Sequence, residues 1–166
     1  MVTNTWETEI LTDVNGLLNG PIGIDIPARP ETLTLWALAM WAVDCASHVQ
    51  DIGGAAAIQL NIATRAYLVG AATVEDLAAA EDAHDAAFYA CPAEAAAQSA
   101  CGAARCAASA ARHALNARYS VDMLAAYAAR CAQDAARFSA PYERKAGQKA
   151  ENGARTWQAN RLQAYL

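Results

Sequence analysis

The segment PAEAAAQSACGAARCAASAARHALNAR, residues 92–118, decides the fold of this chain. Alanine occupies every position of two neighbouring helical rows, 96/100/103/107/110/114/117 and 93/97/104/108/111. These rows share one side of a helix, while polar residues such as Glu94, Arg105 and Arg112 lie on the other side. A face of methyl groups buries useful area only if its partner helices come close. We therefore predict that this segment is the central helix of an all-α bundle.

The composition supports a single helical domain. The chain has 166 residues, of which 55% are hydrophobic, yet its mean hydropathy is only +0.07 because so many are alanine. Alanine is the best helix former and is depleted in strands. No uncharged apolar run is long enough to span a membrane, and the N-terminus is acidic where a signal peptide is basic. Together with five cysteines that form no CxxC pair, this predicts a cytoplasmic protein with reduced thiols and no membrane association.

Charge is distributed unevenly along the chain. Residues 1–100 hold 13 acidic and 2 basic residues, a net of −11, whereas residues 101–166 hold 4 acidic and 10 basic residues, a net of +6. The two halves should attract each other in the folded protein. A nucleic-acid surface on the basic half is not favoured, because its arginines are spread singly and the acidic half would repel phosphate.

The sequence divides into three regions. Residues 1–30 are interpreted as an irregular N-terminal arm. Trp6–Leu18 could be a short helix or a strand, and Pro27 and Pro30 exclude a helix in the extended segment IGIDIPARP that ends the arm. Residues 31–140 read as the bundle, and residues 141–166 as a ragged C-terminal helix that packs on the bundle or extends from it. Breaks at 51–54, at Gly70 and near Pro92 give a bundle of five to six helices, with predicted bounds 31–49, 55–69, 73–89, 92–118, 120–138 and 142–166. Thr73 and Asp76 have the spacing of a capping box at the start of the third predicted helix.

His84 is the most informative single residue. The spacing 77, 80, 84, 87 places it on the buried stripe of the third helix. Glu81 precedes it by three residues, which gives one Glu-x-x-His, half of the ligand set of a ferritin-type di-iron site. The chain has no second copy, so we interpret His84 as a core histidine bonded to a neighbouring carboxylate or carbonyl. No metal and no cofactor is expected.

Two groups of side chains are candidate sites. An acidic row on the third helix is a candidate partner-binding face, although antiparallel packing could also pair it with Arg105 and Arg112. A small-molecule, metal-binding or acid–base pocket is the alternative, centred on Trp41, His84 and His113. The acidic row is Glu75, Asp82 and Asp85, and the pocket candidates are Trp41, Asp44, His48, Glu81, His84, Cys106, Ser109 and His113. Asp44 and His48 have the spacing of an i,i+4 pair.

Two further segments carry a resemblance to a known family. LWALAMWAVDCASHV, followed by RAYLVGAATVEDLAAAEDAHDAAF and the alanine helices, resembles the Imm-5-like immunity proteins, which are alanine-rich, all-α and associated with polymorphic toxin systems of bacteria. The resemblance covers residues 35–138, and it departs from the family in the short turn at 51–54 and in the N-terminal arm. It implies a protein that neutralises a toxin, and it assigns no functional residue.

The first functional hypothesis is therefore a non-enzymatic immunity protein that sequesters a cognate protein toxin through its acidic half. The alternative is a small-molecule or metal-binding helical protein, or an enzyme, with the pocket named above. The chain has no HExxH, Walker loop, GxGxxG or GxSxG motif, which leaves an enzymatic activity without a recognisable signature. Exposed alanine faces also suit self-association, so a homodimer is a further expectation.

Overall fold

The computed structural model describes residues 35–90, 94–115, 121–140 and 144–165, and within these ranges it contains helices and no strand. The all-α bundle is thereby confirmed, whereas the predicted N-terminal arm lies outside the described residues. None of the helices in these ranges has both the length and the apolar character needed to cross a bilayer. The helices are α1 (Leu35–His48), α2 (Gln50–Leu68), α3 (Val74–Ala90), α4 (Ala95–Leu115), α5 (Val121–Ser139) and α6 (Arg144–Gln163).

Helix α4 is the alanine helix that the sequence predicts, and it packs against α5, α2, α1 and, less extensively, α3. The residues it buries are almost all alanine, so the partner backbones can approach it closely. The predicted central position of this helix is confirmed. Its buried residues are Ala96, Ala100, Cys101, Ala103, Ala104, Ala107, Ala108, Ala110 and Ala111.

Helix α1 shares the centre with α4. All ten residues from 37 to 46 are buried, which fits a sequence that is apolar on every side. Trp41 is fully buried and donates its indole N–H to the carbonyl oxygen of Gln158 at 3.0 Å. This bond ties α1 to α6, because a buried indole N–H without a partner would be costly.

The junction of α1 and α2 agrees with the prediction in part. α1 ends at His48 and α2 begins at Gln50, so residues 50–53 are helical where a turn was predicted. The predicted break is present at Gly54, which leaves the helical conformation (φ 73°, ψ −166°) and joins two helical segments of α2 at a kink. A Cβ atom at Gly53 would lie 3.2 Å from Cβ of Ala100, so this glycine lets α2 approach α4. Gly53 therefore permits close packing of α2 on α4, and Gly54 forms the kink in α2.

The start of α3 confirms the predicted cap. The backbone N–H of Thr73 donates to Oδ2 of Asp76 at 2.9 Å, and the backbone N–H of Asp76 donates to the Thr73 hydroxyl at 3.2 Å. Gly70 has a φ of 74°, as expected for a residue that follows a helix end. This turn sets the direction in which α3 leaves α2.

Helix α6 is more regular than predicted and packs on α5. Its centre is a buried amide pair: Nε2 of Gln133 donates to Oε1 of Gln158 at 2.8 Å, and Nε2 of Gln158 donates to the carbonyl oxygen of Ala129 at 2.9 Å. Leu162 of the same helix is fully buried. The buried positions of Gln133 and Gln158 were not predicted, because polar side chains are usually found on the protein surface.

The close approach at Gly53 gives a stability prediction. In Gly53→Ala the new Cβ would lie 2.7 Å from Cβ of Ala57, so we expect a loss of about 1–3 kcal/mol from overpacking. The matched control is Gly153→Ala in α6, where a Cβ meets no atom within 4 Å and alanine should add about 0.5–1 kcal/mol. Urea unfolding measures both changes, and equal shifts in the same direction would contradict the packing role of Gly53.

Candidate functional site

Asp44 of α1 is a buried carboxylate that ties three helices together. It is 5% exposed. Its Oδ1 accepts from Nη2 of Arg65 on α2 at 2.7 Å, and its Oδ2 accepts from Nε of Arg161 on α6 at 2.6 Å. The hydroxyl of Tyr165, just after α6, also donates to Oδ2, at 2.5 Å. One negative charge therefore faces two positive ones, and both carboxylate oxygens are satisfied.

These contacts set the ionisation of the cluster. Burial alone would raise the pKa of Asp44, but the hydrogen bonds from Tyr165, Arg65 and Arg161 outweigh it and lower the pKa from its ordinary value of 3.8. Burial, together with the bond to Asp44, raises the pKa of Tyr165 to about 12. At neutral pH the carboxyl is ionised and the phenol is protonated, which is the form that this geometry needs.

His48 does not join this cluster. Its ring stacks on Trp157 of α6 with centroids 4.1 Å apart, and burial lowers its pKa. The i,i+4 spacing suggested a pair with Asp44, but that carboxylate is held by residues from α2 and α6 instead. The clamp on Asp44 was not visible in the sequence, because its partners lie 21, 117 and 121 residues away.

Glu81 forms a second clamp, between α3 and α4. It is 3% exposed. Its Oε1 accepts from Nη1 of Arg105 at 2.5 Å, and its Oε2 accepts from Arg112. Arg105 also contacts Asp85 at 3.1 Å. Both oxygens of Glu81 are therefore engaged by arginines of α4.

His84 lies beside this clamp, 3% exposed, as the helical spacing predicts. Its Nδ1 is 3.2 Å from Oδ1 of Asp85, which agrees with a core histidine bonded to a neighbouring carboxylate. Its ring lies nearly parallel to that of Phe88, with centroids 6.4 Å apart. Ala87, which the predicted stripe included, is exposed, and the buried line runs through Glu81 instead.

The described contacts of Trp41 and His84, two of the three residues on which the predicted pocket was centred, are with different neighbours. The Trp41 ring is fully enclosed between α1 and α6, whereas His84 faces its neighbours on α3. His113, Ser109 and the remaining candidate on α4, Cys106, are partly exposed. In the ranges that the structure describes, no three His, Cys, Asp or Glu side chains are grouped to hold a metal ion.

The outward side of α3 carries three exposed side chains at seven-residue spacing. Glu75 and Asp82 are exposed and form no ion pair with a described residue. Tyr89 follows at the same seven-residue spacing and is 82% exposed. Seven residues are almost two helical turns, so these three side chains form one line about 21 Å long, here called the outer stripe of α3. Asp85, the third residue of the predicted acidic row, lies on its flank and is engaged with Arg105.

A groove of about 470 Å³ runs along α2. Asn61 lines it and is only 2% exposed, yet neither atom of its carboxamide has a hydrogen-bond partner in the described chain. Arg65 also lines the groove, and its guanidinium group donates a hydrogen bond to the carboxylate of Asp44. The other lining residues are Gln50, Ile62, Ala66, Val69 and Ala71.

Comparisons of the chain with protein-family models, with curated proteins and with solved structures found no match. The resemblance of residues 35–138 to the Imm-5-like immunity proteins therefore stays a prediction.

The Asp44 clamp gives a pH-dependent prediction. The folded-state pKa lies below 3.8, so the stabilisation is complete at neutral pH and is lost as the pH falls through the folded-state value. Asp44→Asn should lose about 1–3 kcal/mol at pH 7, because it leaves two guanidinium groups without their carboxylate. The stability difference between wild type and variant should shrink below about pH 4.

Guanidinium unfolding at several pH values measures this difference. The control is Asp134→Asn, which removes a surface pair with Arg130 at 3.6 Å and should cost less than about 0.5 kcal/mol. A constant difference between wild type and Asp44→Asn from pH 7 to about pH 2 would contradict the clamp.

Proposed function

We propose that this protein neutralises a basic protein toxin by binding it through the outer stripe of α3. The observation that carries the proposal is the stripe itself, an exposed tyrosine in line with two carboxylates that form no ion pair within the described ranges. Tyrosine is enriched among residues that dominate binding energy, because it brings a large apolar area with a polar end. Of the surfaces on the described helices, this one combines such an anchor with charge of a single sign.

The charge of the stripe favours a basic partner. Glu75 and Asp82 add negative potential on the acidic half of the chain, whereas Glu81 and Asp85 are already neutralised by arginines of α4. Exposed carboxylates contribute modestly to affinity, but they accelerate the encounter with a positively charged partner and repel acidic proteins. The expected partner therefore carries Lys and Arg at its contact surface.

The Glu81 clamp supports this function indirectly. Helix α3 packs mainly on α2 and α4, so its far side is not covered by the other described helices. The pairs from Glu81 to Arg105 and Arg112 fix α3 on α4 from beneath. A rigid helix loses less conformational entropy on binding than a mobile one, so the clamp preorganises the stripe.

The resemblance in residues 35–138 supports a toxin as the class of partner. Immunity proteins of polymorphic toxin systems are encoded beside their toxins. The product of the adjacent gene is therefore the partner to use in a test. A neighbouring gene whose product is not toxic would contradict the toxin part of the proposal.

The binding test compares variants of the stripe with matched variants elsewhere. We expect wild-type protein to bind the adjacent gene's product with sub-micromolar affinity that weakens as salt rises. Tyr89→Ala and the double variant Glu75→Lys/Asp82→Lys should each weaken binding about tenfold or more, and the double variant should also restore toxicity in a co-expression assay. Isothermal titration calorimetry gives the affinities.

The controls are Tyr127→Ala on α5, a tyrosine that is 54% exposed, and Glu94→Lys before α4. Each should change the affinity by no more than about twofold, since neither residue is on the stripe. Equal losses in the control and stripe variants would contradict the assignment of the surface.

A second candidate function is the binding of a small molecule in the groove of α2. The observation that favours it is Asn61, a buried carboxamide that offers an unused donor and an unused acceptor. The two guanidinium groups around the single charge of Asp44 leave one positive charge in surplus near this groove. A ligand with an amide and a carboxylate, such as an N-acetylated amino acid, matches both features.

Thermal unfolding of the full chain with millimolar N-acetyl-leucine tests this candidate. The midpoint should rise for wild type and stay unchanged for Asn61→Leu, because the variant cannot pair with the ligand amide. Gln133→Leu, which alters a buried amide away from the groove, is the control and should keep the ligand-dependent rise. No rise in wild type would count against the groove as a site for this ligand class.

A further inference from the structure

The described cysteines fall into two kinds. Cys45 and Cys101 are buried at 0% and 5% exposure, and burial raises the pKa of both thiols. Such thiols are inert towards soluble oxidants. Cys106 on α4 and Cys131 on α5 are only partly buried, and both are free thiols.

The packing of α4 on α5 brings Cys106 and Cys131 together. A Cβ atom built on Gly102 would lie 3.5 Å from Sγ of Cys131, so this sulfur sits over the glycine in the α4 surface. Cys106 is one turn further along the same side of α4. The two thiols therefore lie on adjacent turns of one α4–α5 contact, near enough for each to affect the pKa of the other. The methyl-lined interface allows this approach between two helices.

The same contact separates the reactivities of the two thiols. The interaction with Cys131 lowers the pKa of Cys106 against the effect of burial, and the charge of Arg105 acts in the same direction. The interaction with Cys106, together with burial, raises the pKa of Cys131. Cys106 is thus the better nucleophile, and Cys131 is positioned as its resolving partner.

We propose that Cys106 and Cys131 are a redox modification site, a dithiol that low-molecular-weight disulfides such as glutathione disulfide convert reversibly into an intramolecular disulfide between α4 and α5. In the first step the Cys106 thiolate attacks one sulfur of glutathione disulfide and releases one glutathione thiolate. The Cys131 thiol then loses its proton to solvent, and its thiolate attacks Cys106 Sγ. This step forms the protein disulfide and releases the second glutathione. Two protein thiols are oxidised, and one glutathione disulfide is reduced to two glutathione molecules.

The sequence around the pair makes the product easy to identify. Trypsin cleaves after Arg105 and Arg112, and after Arg130 and Arg137, so the two cysteines fall in the peptides CAASAAR (residues 106–112) and CAQDAAR (residues 131–137). Each peptide contains one cysteine. A disulfide between them has one unambiguous mass.

The experiment equilibrates the full chain with glutathione buffers from fully reduced to fully oxidised, followed by acid quenching and mass spectrometry. We expect two of the five thiols to disappear together, a mass loss of about 2 Da, and the linked pair CAASAAR–CAQDAAR in the non-reduced digest. The oxidised protein should remain monomer-sized relative to the reduced protein in gel filtration, and its unfolding midpoint should rise because the bond joins two helices.

The variants separate this pair from the other cysteines. Cys131→Ser should stop at a glutathione adduct on Cys106, whereas Cys45→Ala should still form the linked peptide. Circular dichroism confirms that each variant is folded, and the wild-type digest decides the question even if a variant is not. The proposal is overturned if all five thiols persist in fully oxidised buffer, or if CAASAAR is linked to any other cysteine peptide or to a second chain.

Discussion

The whole bundle depends on how closely other helices can approach the methyl face of α4. Alanine side chains bury little area each, so α4 contributes to stability only by touching α5, α2 and α1 at short distance. The neighbours meet this condition with small residues of their own, including Gly53 on α2 and a run of buried alanines on α5. Larger side chains are concentrated in α1, where Trp41 and Leu38 fill the remaining space.

Small side chains leave specificity to polar contacts. Asp44 and Glu81 are each held by two arginines from other helices, and the Gln133–Gln158 pair fixes α6 against α5. Breaking such a buried pair is costly because it leaves a charge or amide unsatisfied. An alanine face alone would tolerate sliding of one helix along another, and these contacts define a single register.

Local signals predicted the fold well. The alanine rows of α4, the Thr73–Asp76 cap and the buried position of His84 depend on residues a few positions apart, and all three are present. The packing role of Gly53 was not predicted, because the reason for a glycine there lies in the approach of Ala100, 47 positions later. The arginine partners of Asp44 were equally hidden, because they come from α2 and α6.

The candidate site shows the same division. Glu75 and Asp82 were predicted from their spacing and are exposed, whereas Asp85 is held in the clamp. Tyr89 continues the same seven-residue spacing. It was not predicted, because the predicted row was defined by acidic residues only. The spacing of residues in this sequence does not identify the partner of the stripe, because recognition also depends on the surface of the second molecule.

The central claim is that α3 presents its outer stripe to a protein partner while α4 holds it from beneath. Hydrogen–deuterium exchange of the full chain, free and saturated with the adjacent gene's product, tests it most directly. The account predicts that binding slows exchange in peptides from Val74–Ala90 and leaves α5 and α6 unchanged. Slowed exchange confined to α5 or α6, with α3 unaffected, would contradict it.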